Sequence, residues 1–151
     1  MDLQLNGKVA LVTGGSKGIG EGVVRSLLAE GASVANVNRS HEEGQAMEQE
    51  YAQLGQECLF IQADLTETDA CQRAVATALE KFGRIDVVIN NAGVNDAIGL
   101  EAGPDEFVAS LRRNLVHYYA IVHFALDALR EARGSIINVG SKVSVTGQGS
   151  T

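Results

Sequence analysis

Cysteine is scarce. The 151 residues hold two, Cys58 and Cys71, and neither sits in a metal-type spacing. A disulfide framework is therefore not expected, and both are read as buried or neutral thiols in a reducing compartment. Basic charge is also in short supply: 12 Lys and Arg stand against 19 Asp and Glu, for a formal net charge of -7. That balance argues against nucleic acid or an anionic membrane surface as a partner. It leaves room for a small anion held by a few local cations. No apolar run reaches the length of a membrane span. The opening MDLQLNGKVALVTGG has no basic region followed by a long apolar stretch, so no signal peptide is expected. Linkers, low-complexity segments and charge blocks are missing too. With 45% hydrophobic residues, the expectation is one cytoplasmic domain over residues 1–151 with a real core.

What is present alternates. KVALVT (Lys8–Thr13) is a short apolar run ending in glycines, as a buried parallel strand should be. GEGVVRSLLAEG (Gly20–Gly31) has Val23, Val24, Leu27 and Leu28 at helical spacing, with Gly31 as its stop. Strands are then predicted at Ser33–Asn38, Glu57–Ala63, Ile85–Asn90 and Ser135–Gly140. Helices are predicted at His41–Gly55, at Thr66–Gly83 with Thr66 or Thr68 as N-cap, and as one long stretch over Gly103–Ala132. Pro104, the one proline, falls near the start of that last helix, where it is tolerated. Strand and helix repeated in this way imply an α/β fold, a doubly wound parallel sheet covered on both faces.

TGGSKGIG (Thr13–Gly20) joins the first strand to the first helix. Gly14 and Gly15 permit a tight turn with unusual dihedrals, Gly18 lets backbone approach a pyrophosphate, and Gly20 lets the helix pack closely on the strand. The helix N-terminus offers N–H groups and partial positive charge to phosphate. The spacing is T-G-x-x-x-G-x-G. It is neither the G-x-G-x-x-G fingerprint nor a P-loop, which would end in Lys-Ser/Thr. A purely structural glycine turn is the alternative, but the strand–turn–helix placement favours dinucleotide binding. About 20 residues on, an NAD site would carry a carboxylate for the ribose hydroxyls. Asn38 and Arg39 stand there instead. Arg39, with Lys17 in the turn, can make charge-assisted bonds to a 2′-phosphate. NADP is therefore the expected cofactor, with NAD as second choice; the alternative is that both cations are merely solvated.

Three further clusters follow: NNAG (Asn90–Gly93), Asn114 in RRNLVHYYA, and INVGS ending at Ser141. With TGGSKGIG, their combination and order closely resemble the short-chain dehydrogenase/reductase family. The resemblance implies a Rossmann-like sheet in strand order 3-2-1-4-5, lacking the family's last strands. It implies that Gly14, Ser16, Lys17, Gly18, Ile19 and Gly20 cradle the cofactor. Asp64 would hydrogen-bond the adenine with Leu65 beside it, and Asn90, Asn91, Ala92 and Gly93 would line the cofactor. Asn114 resembles the helix asparagine that holds a proton-relay water, and Ser141 the serine that orients the substrate carbonyl. Without the resemblance, Asn114 reads as a group satisfying backbone, and Ser141 as a cap or turn residue. No metal ligand is expected.

Within the family, NNAGVNDAIGLEAG, NLVHYYAIVHFAL and GSKVSVTGQGST are similar to L-fucose-type sugar dehydrogenases. The implied partner is a small polar substrate such as an aldose, for which Asn95, Asp96, Lys142 and Gln148 are candidate hydrogen-bonding groups or simply loop polar groups. His117, Tyr118 and Tyr119 could serve as acid–base residues, but at helical spacing beside Ile121 and Val122 they read as packing or subunit-interface residues; the resemblance implies a homo-oligomer for the full-length form. The family's Tyr and Lys, in Y-x-x-x-K, come after the serine. Tyr51, Tyr118 and Tyr119 all precede Ser141, and none has Lys four residues on. The expectation is an N-terminal portion of a longer design, inactive alone as written. The alternative is a non-catalytic dinucleotide-binding or interaction protein.

Overall fold

The computed structural model describes residues 3–142 and Thr146. Five strands, β1 (Val9–Thr13), β2 (Ser33–Asn38), β3 (Cys58–Gln62), β4 (Val87–Asn90) and β5 (Ser135–Asn138), form one sheet. All pairs are parallel and the order is β3-β2-β1-β4-β5, a Rossmann-like arrangement. The helices are α1 (Gly18–Ala29), α2 (His41–Gln53), α3 (Thr68–Phe82), α4 (Pro104–Leu111) and α5 (His117–Ala132).

Both faces of the central strands are covered, and the period-2 geometry of a strand shows in the core. Leu11, Ala35, Val37 and Val88 pack with α3 and α5 through Cys71, Ala74, Ile121 and Ala125. Their sequence neighbours Ala10, Val12, Val34 and Ile89 pack with α1 and α2 through Val24, Leu28, Met47 and Tyr51. The two thiols are free and buried, and burial pushes Cys58 up to about 12 and Cys71 up to about 11. β5 pairs with β4, and its residues are exposed, Ile136 and Ile137 each at 48%.

Two local expectations are corrected. The start of α3 uses neither threonine as a cap; Glu67 occupies the cap position. Thr66 instead donates its N–H and its hydroxyl to Asp64, at 3.0 and 2.8 Å. The long helix is also interrupted: a π segment, Arg112–Val116, separates α4 from α5. An apolar period does not report this, because none of the five residues of the segment is buried and they carry no core-facing stripe to set the phase.

At the amino end of the sheet, the Asp86 carboxylate ties two chain segments together, the start of β1 and the approach to β4. Its carboxylate accepts from Val9 N–H at 3.0 Å, from Lys8 Nζ at 3.2 Å and from Arg84 Nε at 2.7 Å. Burial raises the Asp86 pKa, but the bonds from Arg84, Val9 and Lys8 outweigh it and hold the group below its ordinary value. A depressed folded value means stability that is present above the unfolded carboxylate range and lost as pH falls through the folded value. Asp86→Asn is therefore expected to cost about 2 kcal/mol at neutral pH, less than a fully buried pair because Lys8 and Arg84 are half-exposed. Urea unfolding across pH checks it. The gap from wild type should narrow as pH falls below 3.8, the ordinary Asp value; a gap independent of pH would refute the assignment.

Candidate functional site

The carboxyl ends of β1, β2 and β4 open into one cleft of about 410 Å³. This is where an open α/β sheet binds ligands, at the point where strand order reverses. Of the expected residues, the cleft is lined by Gly14, Lys17, Ile19, Gly20, Asn38, Arg39, Asp64, Leu65, Asn91, Ala92 and Gly93.

The glycine turn is built by the shortage of space around it. Gly14 has φ +69° and Gly18 φ +60°, the left-handed region that favours glycine. A Cβ on Gly14 would also lie 2.9 Å from Ala92 Cα. Gly15 does not need an unusual dihedral, contrary to expectation. It needs room, because a Cβ there would lie 2.5 Å from Asn36 Oδ1 and 2.7 Å from Val24 Cγ2. Gly20 is the tightest point, with the Gly14 carbonyl and Asn91 Nδ2 where its Cβ would stand.

Thr13 and Asn91 fasten the two strand ends to each other. Thr13 Oγ1 accepts the N–H groups of Asn91 and Ala92 at 3.0 and 3.1 Å. Asn91 Nδ2 donates to the carbonyls of Thr13 and Gly14, each at 3.1 Å. Asn90 spans the other direction: its Nδ2 donates to Asn138 Oδ1 at 3.0 Å and to Tyr118 O at 3.3 Å. Thus the NNAG cluster holds the glycine turn, β4 and β5 in one frame.

Charge is distributed along the cleft. Lys17 Nζ lies 3.7 Å from Glu43 in the first turn of α2, and both side chains are exposed. Arg39 is exposed at the cleft wall, and its charge helps the Thr66 hydrogen bonds hold Asp64 below its ordinary pKa. Asp64 is therefore an anionic acceptor. Ser40, at the N-cap of α2, and Thr66 also line the cleft. Neither was expected to line the cleft, although each directly follows a residue that was.

Asn114 lies in the π segment. Its Oδ1 accepts Val94 N–H at 2.7 Å, and its Nδ2 donates to Ser110 O at 3.2 Å. The backbone-satisfying role is thus real, and it fixes the loop beyond β4. Asp96 is drawn into the same network, taking Arg113 Nε at 3.0 Å and Ser110 Oγ at 3.1 Å. Arg113 holds its carboxyl below the ordinary range. Asn95 Oδ1 accepts from Ala97 N–H at 3.3 Å. Ser141 and Lys142 are exposed beyond β5, and Gln148 lies outside the described residues.

Val94, Arg113 and His117 also line the cleft and were not anticipated there. His117 is 1% exposed, its ring nitrogen Nε2 lies 3.0 Å from Arg113 O, and burial pushes its pKa down. Its spacing from Asn114, one helical turn, was the available signal. Tyr118 donates its hydroxyl to Val139 O at 3.1 Å, a structural tie, while Tyr119 is exposed and stacks on His123.

Among the described residues, four buried side-chain polar atoms have no hydrogen-bond partner: Ser16 Oγ, Asn38 Oδ1, Asn90 Oδ1 and His117 Nδ1. Ser16 is in the glycine turn, Asn38 and Asn90 end β2 and β4, and His117 begins α5. Buried polar atoms are ordinarily paired. Of these four residues, Asn38 and His117 line the cleft.

Fold and cleft together define a dinucleotide-type α/β site, and comparison with known proteins narrows it. The chain belongs to the short chain dehydrogenase family, whose sequence profile matches residues 8–151. It is 39% identical over 145 residues to L-fucose dehydrogenase of Mus musculus, an alignment covering 95% of this chain and 52% of that protein. A short chain dehydrogenase from Burkholderia cenocepacia in complex with NADP superposes with a TM-score of 0.88 at 36% identity, covering 97% of this chain and 60% of that one. A blue fluorescent protein from a metagenomic library in complex with NADPH gives 0.88 at 35% identity, covering 96% and 60%. The chain spans about half the length of the curated relatives it matches.

Proposed function

We propose that these residues form the cofactor-binding part of an NADP-dependent short-chain dehydrogenase acting on a small sugar or related alcohol. The observation that carries the cofactor reading is the cleft at the carboxyl ends of β1, β2 and β4, where the glycine turn meets Asn38, Arg39 and Asp64. The N-terminus of α1 and the backbone of the glycine turn would hold the pyrophosphate. Asp64 would accept from the adenine. Arg39, Lys17 and the Ser40 hydroxyl would face the 2′-phosphate, with Asn38 in place of the carboxylate that would repel it. The related structures bound to NADP and NADPH support this preference.

The nicotinamide, when bound, supplies the hydride chemistry. The protein's contribution is placement. Asn114 holds the Val94 backbone and would steady a proton-relay water, and Ser141 would orient the substrate oxygen. A tyrosine base with its lysine is not found in residues 1–151, so turnover is proposed for the whole protein and binding for this chain. The similarity to L-fucose dehydrogenases supports an aldose substrate.

Calorimetric titration of the 151-residue chain tests both parts. NADP should bind about tenfold more tightly than NAD, or more, and no sugar should support reduction of NADP by this chain alone. Tighter binding of NAD would overturn the cofactor assignment, and measurable turnover would overturn the division of roles.

A further inference from the structure

The π segment places two side chains in an unusual position. Asn114 Nδ2 donates to the carbonyl four residues before it, Ser110, at 3.2 Å. His117 Nε2 lies 3.0 Å from the carbonyl four residues before it, Arg113. A π turn pairs amides with carbonyls five residues back rather than four, which disturbs the ladder and leaves carbonyls in need of donors. Here both donors are side chains. A carbonyl can only accept, so the His117 ring must carry a proton on Nε2.

We propose that His117 is a positioning residue for Asn114: its Nε2–H holds the Arg113 carbonyl and so maintains the π turn in which Asn114 sits. The geometry shows why that matters. Removing the extra residue of a π turn rotates the following helix against the preceding one by about 100°. Asn114 Oδ1 would then leave Val94 N–H, which it now meets at 2.7 Å. Gly93, whose Cβ position lies 3.2 Å from Asn114 Oδ1, belongs to the same loop and lines the same cleft. His117 is thus coupled to the loop beyond β4 through two hydrogen bonds, His117 to Arg113 and Val94 to Asn114. Packing alone does not account for it: an apolar residue would fill the space and leave the Arg113 carbonyl without this donor.

The inference rests on the dehydrogenase reading only for its consequence, since that reading gives Asn114 its catalytic meaning. Its test needs no dinucleotide. In the wild-type chain, nitrogen-15 spectra of the His117 ring should show the Nε2–H tautomer; the Nδ1–H tautomer would overturn the proposal, whatever the variants do. In His117→Ala, amide exchange at Val94 should accelerate by roughly tenfold or more while Leu11 and Ala35 stay protected. His117→Gln, which restores an N–H at similar reach, should return Val94 to within about threefold of wild type. Unchanged Val94 exchange in folded His117→Ala, or no rescue by Gln, would overturn it. Failure of the same wild-type chain to bind NADP would count against the proposed function and leave this result standing.

Discussion

Gly20→Ala is expected to destabilise the chain by about 3 kcal/mol and to remove measurable dinucleotide binding. Ordinarily a glycine replaced by alanine inside a helix gains up to about 1 kcal/mol. The sign reverses here because of what surrounds the site. A Cβ on Gly20 would overlap the Gly14 carbonyl oxygen and the Asn91 amide nitrogen, and would lie 2.9 Å from Gly14 C. Neither neighbour is free to move. The Gly14 carbonyl accepts from Asn91 Nδ2, and Gly14 N–H donates to Val37 O at 2.8 Å. Relief therefore requires α1 to withdraw from the turn, which breaks the bonds of Asn91 and shifts the helix N-terminus that would face phosphate. Gly22, two residues along the same helix, is the control. A Cβ there meets nothing within 4 Å, so Gly22→Ala should stabilise by roughly 0.5–1 kcal/mol. Urea midpoints of the two variants, measured at unchanged slope, should move in opposite directions. Parallel shifts would show that the crowding at Gly20 has no energetic consequence.

Arg39→Ala is expected to weaken NADP binding by roughly 30-fold while leaving NAD within about threefold of wild type. Arg39 is exposed and forms part of the cleft wall, so the change removes a cation without opening the core. Its guanidinium can meet a phosphate with two parallel N–H donors, which an ammonium cannot do. Lys17 should matter less, because it already faces Glu43 at 3.7 Å. Lys17→Ala is accordingly expected to cost only about threefold for NADP. Equal losses for NADP and NAD in Arg39→Ala would place Arg39 on the pyrophosphate or the adenine and not on the 2′-phosphate.

The two variants also divide what could be read directly from what could not. The glycine turn was legible because a strand, a run of glycines and a helix lie consecutively in the chain. Asn38 and Arg39 were legible because they end the next strand, at a distance set by one βα unit. Arg113, His117 and Val94 were not legible as cleft residues. They come from segments that approach the glycine turn only when β4 pairs with β1 and α5 packs beneath the sheet. The bond between Asp96 and Arg113 is likewise a product of that approach. It turns a proposed substrate group into part of the frame around Asn114.

By itself the sequence determined the alternation of strands and helices, the glycine turn and the type of residue at each strand end. These depend on local periodicity and on spacing along the chain. Only the tertiary structure decided which polar atoms are buried without a partner, that Gly15 serves through space rather than dihedral angle, and that the long helix carries a π turn at Asn114. The first two depend on atoms brought together from segments far apart in the chain when the sheet and its helical layers close, while the π turn is local and it is the bond from Val94 N–H to Asn114 that ties it to a distant segment.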